Sequence, residues 1–446
     1  MKLFEYALLC ASILSCLYVI WAKQRFRPLL MLVFPASLLG ILILHLIFEP
    51  SRWIMFPVYG ITTVVVIACI LRRRSKHVSP PSKRFRPILL SLLVLLAGSL
   101  SWGGANLLPL FQFTKPSGSH SVGVLDYTWT DPERTAADGT SRQLNVRIWY
   151  PASDDLTMPA RYIPQADLFI QAIKKQYGLW PQLLRNYRRL EIPAQYAAPF
   201  YPNANSVPVV VYLHGNQLGT RFTGTFQAIE LASHGYMVIA LEHPGTAFLS
   251  VFDEDRYIPF TNSFTGLPDN FSAHNKVAIP IIQEMQTDVQ FVLQHLQQID
   301  RYEPNSPLSG RIDPDRIALV GHSFGGAVAA HVLANTTIAR AAVNLDGYLY
   351  GEYPDELQQK PLLIVNGGLQ VKGLEETMVG LEEERAVRNR LLGPNGLEVT
   401  LPQAGHLSFT DLPLYSPLLF KPLAPDIKEQ HRLINEHTLR FLQEHL

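Results

Sequence analysis

Residues 316–330 read Arg-Ile-Ala-Leu-Val-Gly-His-Ser-Phe-Gly-Gly-Ala-Val-Ala-Ala. A short apolar, β-branched run climbs into Gly321-His322-Ser323-Phe324-Gly325 and leaves through small residues suited to a helix. A Gly-x-Ser-x-Gly step between a strand and a helix forms a sharp turn that lifts the serine hydroxyl clear of the sheet. Gly321 and Gly325 suit that turn because strand and helix approach too closely for a Cβ. A serine hydroxyl is a poor nucleophile at neutral pH, so Ser323 needs a base, an acid to orient that base, and donors for an oxyanion. The chemistry expected is acyl transfer through a covalent serine intermediate, which calls for no cofactor.

Behind such a serine the partners follow in the order acid, then histidine. The run Ala341–Leu345 ends in Asp346-Gly347, which places a carboxylate at the carboxyl edge of the next strand. A further run, Leu362–Val365, ends in Asn366-Gly367-Gly368-Leu369-Gln370 with no acid at its tip. Asp346 is therefore the candidate acid; a turn-capping Asp before Gly347 is the alternative reading. Five histidines follow Ser323: His331, His406, His431, His437 and His445. His331 lies two helical turns past the serine, and the last three sit in a polar helix-like tail and read as solvated. His406 follows the strand-like Leu397–Leu401 in the loop Gln403-Ala404-Gly405-His406, where a base is needed. For the oxyanion, one N–H is that of Phe324, directly after the nucleophile. The other should come from the loop after Val209–Leu213, His214-Gly215-Asn216-Gln217-Leu218-Gly219, with Asn216 the expected donor and Gln217 its rival. His214 reads as a structural histidine beneath that loop.

Residues from about Val122 to Leu446 resemble the plasma-type (isoform II) platelet-activating factor acetylhydrolases and their bacterial relatives. The stretches that carry the resemblance are Leu144–Pro151 (LNVRIWYP), Leu231–Tyr236 (LASHGY), Gly321–Gly326 (GHSFGG), Leu345-Asp346-Gly347 and His406–Asp411 (HLSFTD). The resemblance implies an α/β-hydrolase fold: a mostly parallel central sheet with helices on both faces. It also implies Ser323 as nucleophile, Asp346 as orienting acid and His406 as base.

The first quarter of the chain differs in kind. Residues 3–22, 28–48, 53–71 and 88–111 are apolar stretches each near the roughly 20 residues that span a bilayer, so four transmembrane helices are expected ahead of the hydrolase. The first is not read as a cleavable signal, since three more follow and no small-residue cleavage pattern is evident. Lys23, Arg25 and Arg27 lie between the first two stretches; Arg72, Arg73, Arg74, Lys76, Lys83, Arg84 and Arg86 lie between the last two. Positive-inside bias puts both loops in the cytoplasm, and an even number of spans puts the hydrolase outside. The domains expected are a membrane domain over 1–112, a linker over 113–121 and a catalytic domain over 122–446.

Of the chain's 38 basic and 37 acidic residues, 12 basic and 2 acidic lie in positions 1–112. The remainder carries about −9, which leaves no electrostatic footprint for nucleic acid. Cys10, Cys16 and Cys69 all fall in the apolar stretches, so the catalytic part has neither disulfides nor thiol chemistry, and no cluster has convincing metal-ligand spacing. Two insertions stand near the site. Residues 160–200, with Leu168, Phe169, Ile170, Tyr177, Leu179, Trp180, Leu183, Leu184 and Tyr187 among basic residues, read as a lid touching the membrane or as a cap helix packed on the core. Residues 245–280 read as a loop over the site, with Asp253, Glu254 and Asp255 as solvated turn residues. The function expected is that of a membrane-anchored extracytoplasmic serine hydrolase of carboxylic esters, with short-chain or oxidised phospholipid esters as substrates. The alternatives are a general carboxylesterase or polyester hydrolase with the same triad, and a non-catalytic membrane sensor.

Overall fold

The runs 207–213, 237–242, 317–320, 341–345 and 362–365 are apolar at almost every position, so a strand made of any of them must be covered on both faces. In the computed structural model they form the centre of one sheet. The structure describes residues 2–21, 29–49, 51–74, 85–136, 139–154, 158–178, 184–202, 206–262, 264, 266–268, 270–354, 360–369 and 381–446. Its strands are β1 (Ser121–Thr135), β2 (Ser141–Ala152), β3 (Met158–Arg161), β4 (Glu191–Tyr196), β5 (Val207–Leu213), β6 (Met237–Glu242), β7 (Leu249–Val251), β8 (Tyr257–Pro259), β9 (Ile312–His322), β10 (Ala341–Leu345), β11 (Leu362–Gly367) and β12 (Leu397–Leu401). Ten of them order as β12-β11-β10-β9-β5-β6-β2-β1-β4-β3, and β7 pairs with β8 in a separate hairpin. From β12 to β6 every pairing is parallel, while β2 joins β6 and β1 antiparallel.

Alternation along each strand divides the core in two. Val210 and Tyr212, Ala318 and Val320, and Val343 and Leu345 face a layer that includes the helices Thr225–Ser233 and Ile427–His445. Val209, Val211, Leu319 and Ile364 face the helices Phe271–Gln297 and Phe324–Asn335. This is the α/β-hydrolase architecture expected from the sequence.

The chain divides into two compact units, Met1–Leu110 and Phe111–Leu446. The first holds the helices Leu3–Trp21, Leu30–Phe48, Phe56–Arg74 and Phe85–Leu107. Among the described residues, Leu3–Trp21, Trp53–Leu71 and Arg86–Leu107 are long and apolar enough to cross a membrane, whereas Leu32–Phe48 forms a shorter apolar helix. Arg52 makes a bidentate bond to Glu5, with both contacts at 2.7 Å, and Glu49 accepts from the Phe4 and Glu5 N–H groups. Arg52 thus neutralises Glu5 at that end of the bundle. The basic residues Lys23, Arg25, Arg27, Lys76, Lys83 and Arg84 lie outside the described residues.

Several expectations need correction. The stretch read as 88–111 ends as a helix at Leu107, and Phe111 instead packs in the hydrolase core against Tyr162 and Tyr415, with ring centroids 5.7 and 5.3 Å away. The segment 245–280 is not only a loop: it holds the β7–β8 hairpin and the start of a 27-residue helix capped by Asn270. In 160–200 no correction is needed to the reading of a cap helix: the helix Ala166–Tyr177 buries Phe169, Ile170, Ala172 and Ile173. Leu179, Trp180 and Leu183 lie outside the described residues. His431, read as solvated, is buried and stacked on Phe226 at a centroid distance of 3.7 Å. A polar tail hid it because only one stripe of that helix packs inward.

Asp288, inside the helix Phe271–Gln297, is wholly buried. It accepts two bonds from Arg142 at 2.7 Å and one each from Arg134 and His243 at 2.8 Å. Burial opposes its charge, but the Arg142 and His243 contacts outweigh burial and hold the carboxyl well below the usual aspartate value. A depressed folded value means that its stabilisation is complete above the unfolded value near about 4 and is lost as pH falls through the folded one. Asp288→Ala leaves Arg142 without its buried partner and is expected to cost about 3–5 kcal/mol. Urea unfolding of the detergent-solubilised chain, parent beside variant, measures this; an unchanged midpoint would show that the network carries no stability.

Candidate active site

Ser323 stands between β9 and the helix Phe324–Asn335 at φ 56°, ψ −122°. That backbone region costs an L-residue of order 1–3 kcal/mol and persists only where the surroundings impose it. Here they do: a Cβ at Gly321 would lie 2.1 Å from the Gly325 carbonyl oxygen, and one at Gly325 would lie 2.2 Å from that of Leu213. The Ser323 N–H donates to the Leu345 carbonyl at 2.8 Å, which ties the turn to the end of β10. The β9–β10 register pairs His322 with Leu345, so Asp346 emerges beside the serine.

Asp346 has φ 55°, a left-handed conformation that aspartate tolerates better than most residues. Its N–H donates to the Val365 carbonyl at 2.8 Å, and its Oδ1 accepts the Gly367 N–H at 2.7 Å. The β11 tip, which lacks an acid, thus supplies a donor that aims the acid of its neighbour. The other oxygen, Oδ2, accepts from His406 Nδ1 at 2.8 Å. Burial would raise the Asp346 pKa, but the bond and charge of His406, the Gly367 N–H and His322 together hold it below the usual value. With Nδ1–H donated to the carboxylate, the basic nitrogen of His406 is Nε2.

His322 connects these parts, and reasoning from spacing alone passed over it as the variable residue of the motif. It is buried, its Nε2 lies 3.0 Å from the His406 carbonyl, and its ring lies against that of His406 with centroids 4.7 Å apart. Its Nδ1 stands 3.1 Å from where a Cβ on Gly215 would be, at the edge of the loop after β5. Burial, with the nearby His406, pushes its pKa down to about 3, so the ring is neutral and donates through Nε2. One side chain therefore bonds the loop of the candidate base and lies beside the loop of the candidate oxyanion donor.

In that loop the Gln217 N–H is engaged by the Thr246 carbonyl at 3.0 Å. Of the two loop residues weighed as donor, Asn216 lines the cavity at Ser323. Beneath it, His214 spends Nδ1 on the Gly215 carbonyl at 2.9 Å and accepts the His243 N–H on Nε2 at 3.1 Å. Burial and His243 lower its pKa to about 3, which keeps it neutral. Through His243 the loop is joined to Asp288. A cavity of 180 Å³ opens at Ser323, lined by Asn216, Phe264, His274, Phe324, Tyr348 and Tyr350. The Tyr348-x-Tyr350 pair directly after Asp346-Gly347 was the available signal for that aromatic wall. Among the described residues, no group of His, Cys, Asp or Glu could hold a metal ion.

The family model for platelet-activating factor acetylhydrolase, isoform II, matches residues 108–446. Among curated relatives, the platelet-activating factor acetylhydrolase of Cavia porcellus is 26% identical over 282 residues, covering 56% of this chain and 59% of the relative. That of Gallus gallus is 26% identical over 379 residues, covering 75% of this chain and 84% of the relative. The chain thus spans under two thirds of the first relative's length. Among solved structures, a ferulic acid esterase from Streptomyces cinnamoneus superposes with a TM-score of 0.59 at 24% identity, over 76% of this chain and 94% of that one. This likeness speaks for the fold.

His322→Leu removes the donor to the His406 carbonyl while preserving bulk. It is expected to lower kcat for an ester roughly 10²-fold, the scale of a small misplacement of a reacting group, with KM little moved. Steady-state kinetics on the folded variant decide this; an unchanged kcat would show that the His406 loop holds its place without His322.

Proposed function

The chain belongs to the platelet-activating factor acetylhydrolase, isoform II, family, and on that premise we propose that it is a serine hydrolase of carboxylic esters anchored in a membrane. The observation that carries the reading is the His406 Nδ1–Asp346 Oδ2 bond of 2.8 Å at the strand end beside a serine held at φ 56°. In the proposed mechanism His406 takes the Ser323 proton as the hydroxyl attacks the ester carbonyl. Asp346 holds the imidazole in the required tautomer and stabilises it as a cation. The Phe324 and Asn216 N–H groups receive the negative charge that develops on the carbonyl oxygen. Collapse expels the alcohol, which takes the proton from His406, and water then clears the acyl group through the same base.

The substrates we propose are phospholipid esters with a short or oxidised acyl chain. The small aromatic cavity at Ser323 supports this, since 180 Å³ suits a small acyl group. The anchoring rests on the three long apolar helices. It rests also on their outward faces, where Leu14, Val64, Leu92, Leu96 and Leu100 are each more than half exposed, an apolar belt that water does not favour. If the 19-residue helix Leu30–Phe48 crosses as well, the basic residues of 23–27 and 72–86 share one side, the cytoplasmic one, and the catalytic unit faces away from it.

The test uses the full chain on a p-nitrophenyl acetate substrate beside Ser323→Ala, then on phosphatidylcholines of rising acyl length. Turnover should fall roughly 10⁴-fold or more in the variant, and by about tenfold or more from an acetyl to a hexadecanoyl ester. A variant as active as the parent would remove Ser323 from the mechanism. Turnover confined to water-soluble esters would point to a general carboxylesterase.

A further inference from the structure

A second and larger cavity, of 720 Å³, lies within the catalytic unit between residues 112–117 and the helices Thr225–Ser233 and Ile427–His445. None of the triad residues lines it. Its floor is apolar, with Phe113, Phe226, Ile229, Leu414 and Leu439. The other walls carry four cations: Lys115 from the connecting segment, and Lys428, Arg432 and Arg440 from the C-terminal helix. Lys428, Arg432, Asn435, Leu439 and Gln443 recur every three or four residues, so the helix presents them on one face.

Two acids, Glu230 and Glu436, line the cavity as well, and they and the neighbouring Glu429 are already engaged. Glu230 accepts from the Ser117 N–H and hydroxyl and lies 3.3 Å from His234. Glu429 and Glu436 are both bridged to Arg432, at 2.7 and 2.8 Å, and Arg440 lies 2.9 Å from His437. Lys115 and Lys428 have no carboxylate partner among the described residues. This local excess of positive charge stands out on a part of the chain that carries about −9 overall. An apolar floor beneath ammonium groups that are unpaired among the described residues suits an anionic amphiphile, not a wholly polar anion.

Position along the chain says where such a molecule comes from. Residue 112 of the cavity wall follows the last residue of the helix Phe85–Leu107 by five positions, and five residues reach at most about 18 Å. If that helix crosses a bilayer, the residue 112 end of the cavity stays within that reach of the end of the span. We propose that this cavity binds the headgroup and first acyl carbons of an anionic phospholipid from the membrane that holds the N-terminal helices. The proposal rests on the anchoring part of the proposed function and not on the triad. It assigns the segment 112–117 a second role, as one wall of a lipid site that fixes how the catalytic unit lies on its membrane.

The experiment places the full chain in nanodiscs of phosphatidylcholine alone or with phosphatidylglycerol, and follows hydrogen exchange at residues 112–117 and 428–443. Exchange there should slow roughly fivefold or more only with phosphatidylglycerol, and the effect should vanish in Lys115→Gln/Lys428→Gln, a pair of neutralised charges near a membrane surface. Both lysines are exposed, so the variant should keep its p-nitrophenyl acetate turnover, which reports on folding and on the triad separately. Equal protection in both kinds of nanodisc would overturn the proposal. So would the same protection from inorganic phosphate added to lipid-free, detergent-solubilised chain, which would assign the cavity to free phosphate. Release of the chain from membranes by alkaline carbonate would overturn the anchoring, and this proposal with it, without touching the esterase reading.

Discussion

The turn at Ser323 is held in a conformation that its own residue disfavours, and the rest of the catalytic unit can be understood as what holds it there. Strain of order 1–3 kcal/mol persists only if the neighbours permit no alternative. Gly321 and Gly325 let the strand, the helix and the β5 loop close to contact distance. The Ser323 N–H is then caught by the Leu345 carbonyl at 2.8 Å. The bond also places the end of β10, and with it Asp346, beside the hydroxyl. The parallel sheet matters because only a run of adjacent strands with a common direction delivers a serine, a carboxylate, a histidine loop and a backbone donor to one edge.

Around that edge the site is over-determined in a particular way. Each group proposed to take part in chemistry is held by another that touches no substrate: Asp346 by the Gly367 N–H, the His406 carbonyl by His322, and the Asn216 loop by His214. The two supporting histidines are kept neutral by burial, near about 3, so they act as fixed donors and acceptors across the working pH range. His406 alone of the three remains open to solvent, with a side chain 42% exposed. The histidine proposed as base is thus the one that water reaches, and the two proposed as scaffold are those it does not.

Much of this was legible in the order of residues. The strands around the serine are fully buried, so each reads as an unbroken apolar run, and the residue just past such a run sits at the sheet edge. That is why Ser323, Asp346 and His406 could be singled out before any coordinates. The supporting layer was not legible, because it depends on contacts between distant segments: Asp288 with Arg142, and His322 with the carbonyl 84 positions later. His431 and the helical part of 245–280 were misread for a related reason. A helix with one buried stripe looks polar in composition, and only its packing partner shows which face is inside. At the start of the catalytic unit, an apolar residue at the end of an apolar stretch was counted with the membrane, while Phe111 belongs to the core around Tyr162 and Tyr415.

The central claim is that Ser323 is an activated nucleophile and that the surrounding architecture exists to keep it so. Treatment of the full, folded chain with a fluorophosphonate, followed by peptide mass spectrometry, tests it most directly. The account predicts a single stoichiometric adduct on the peptide that contains Ser323, formed far more slowly when His406 is replaced by Ala. A folded chain that takes no label, or one labelled at another serine while Ser323 stays free, would contradict it.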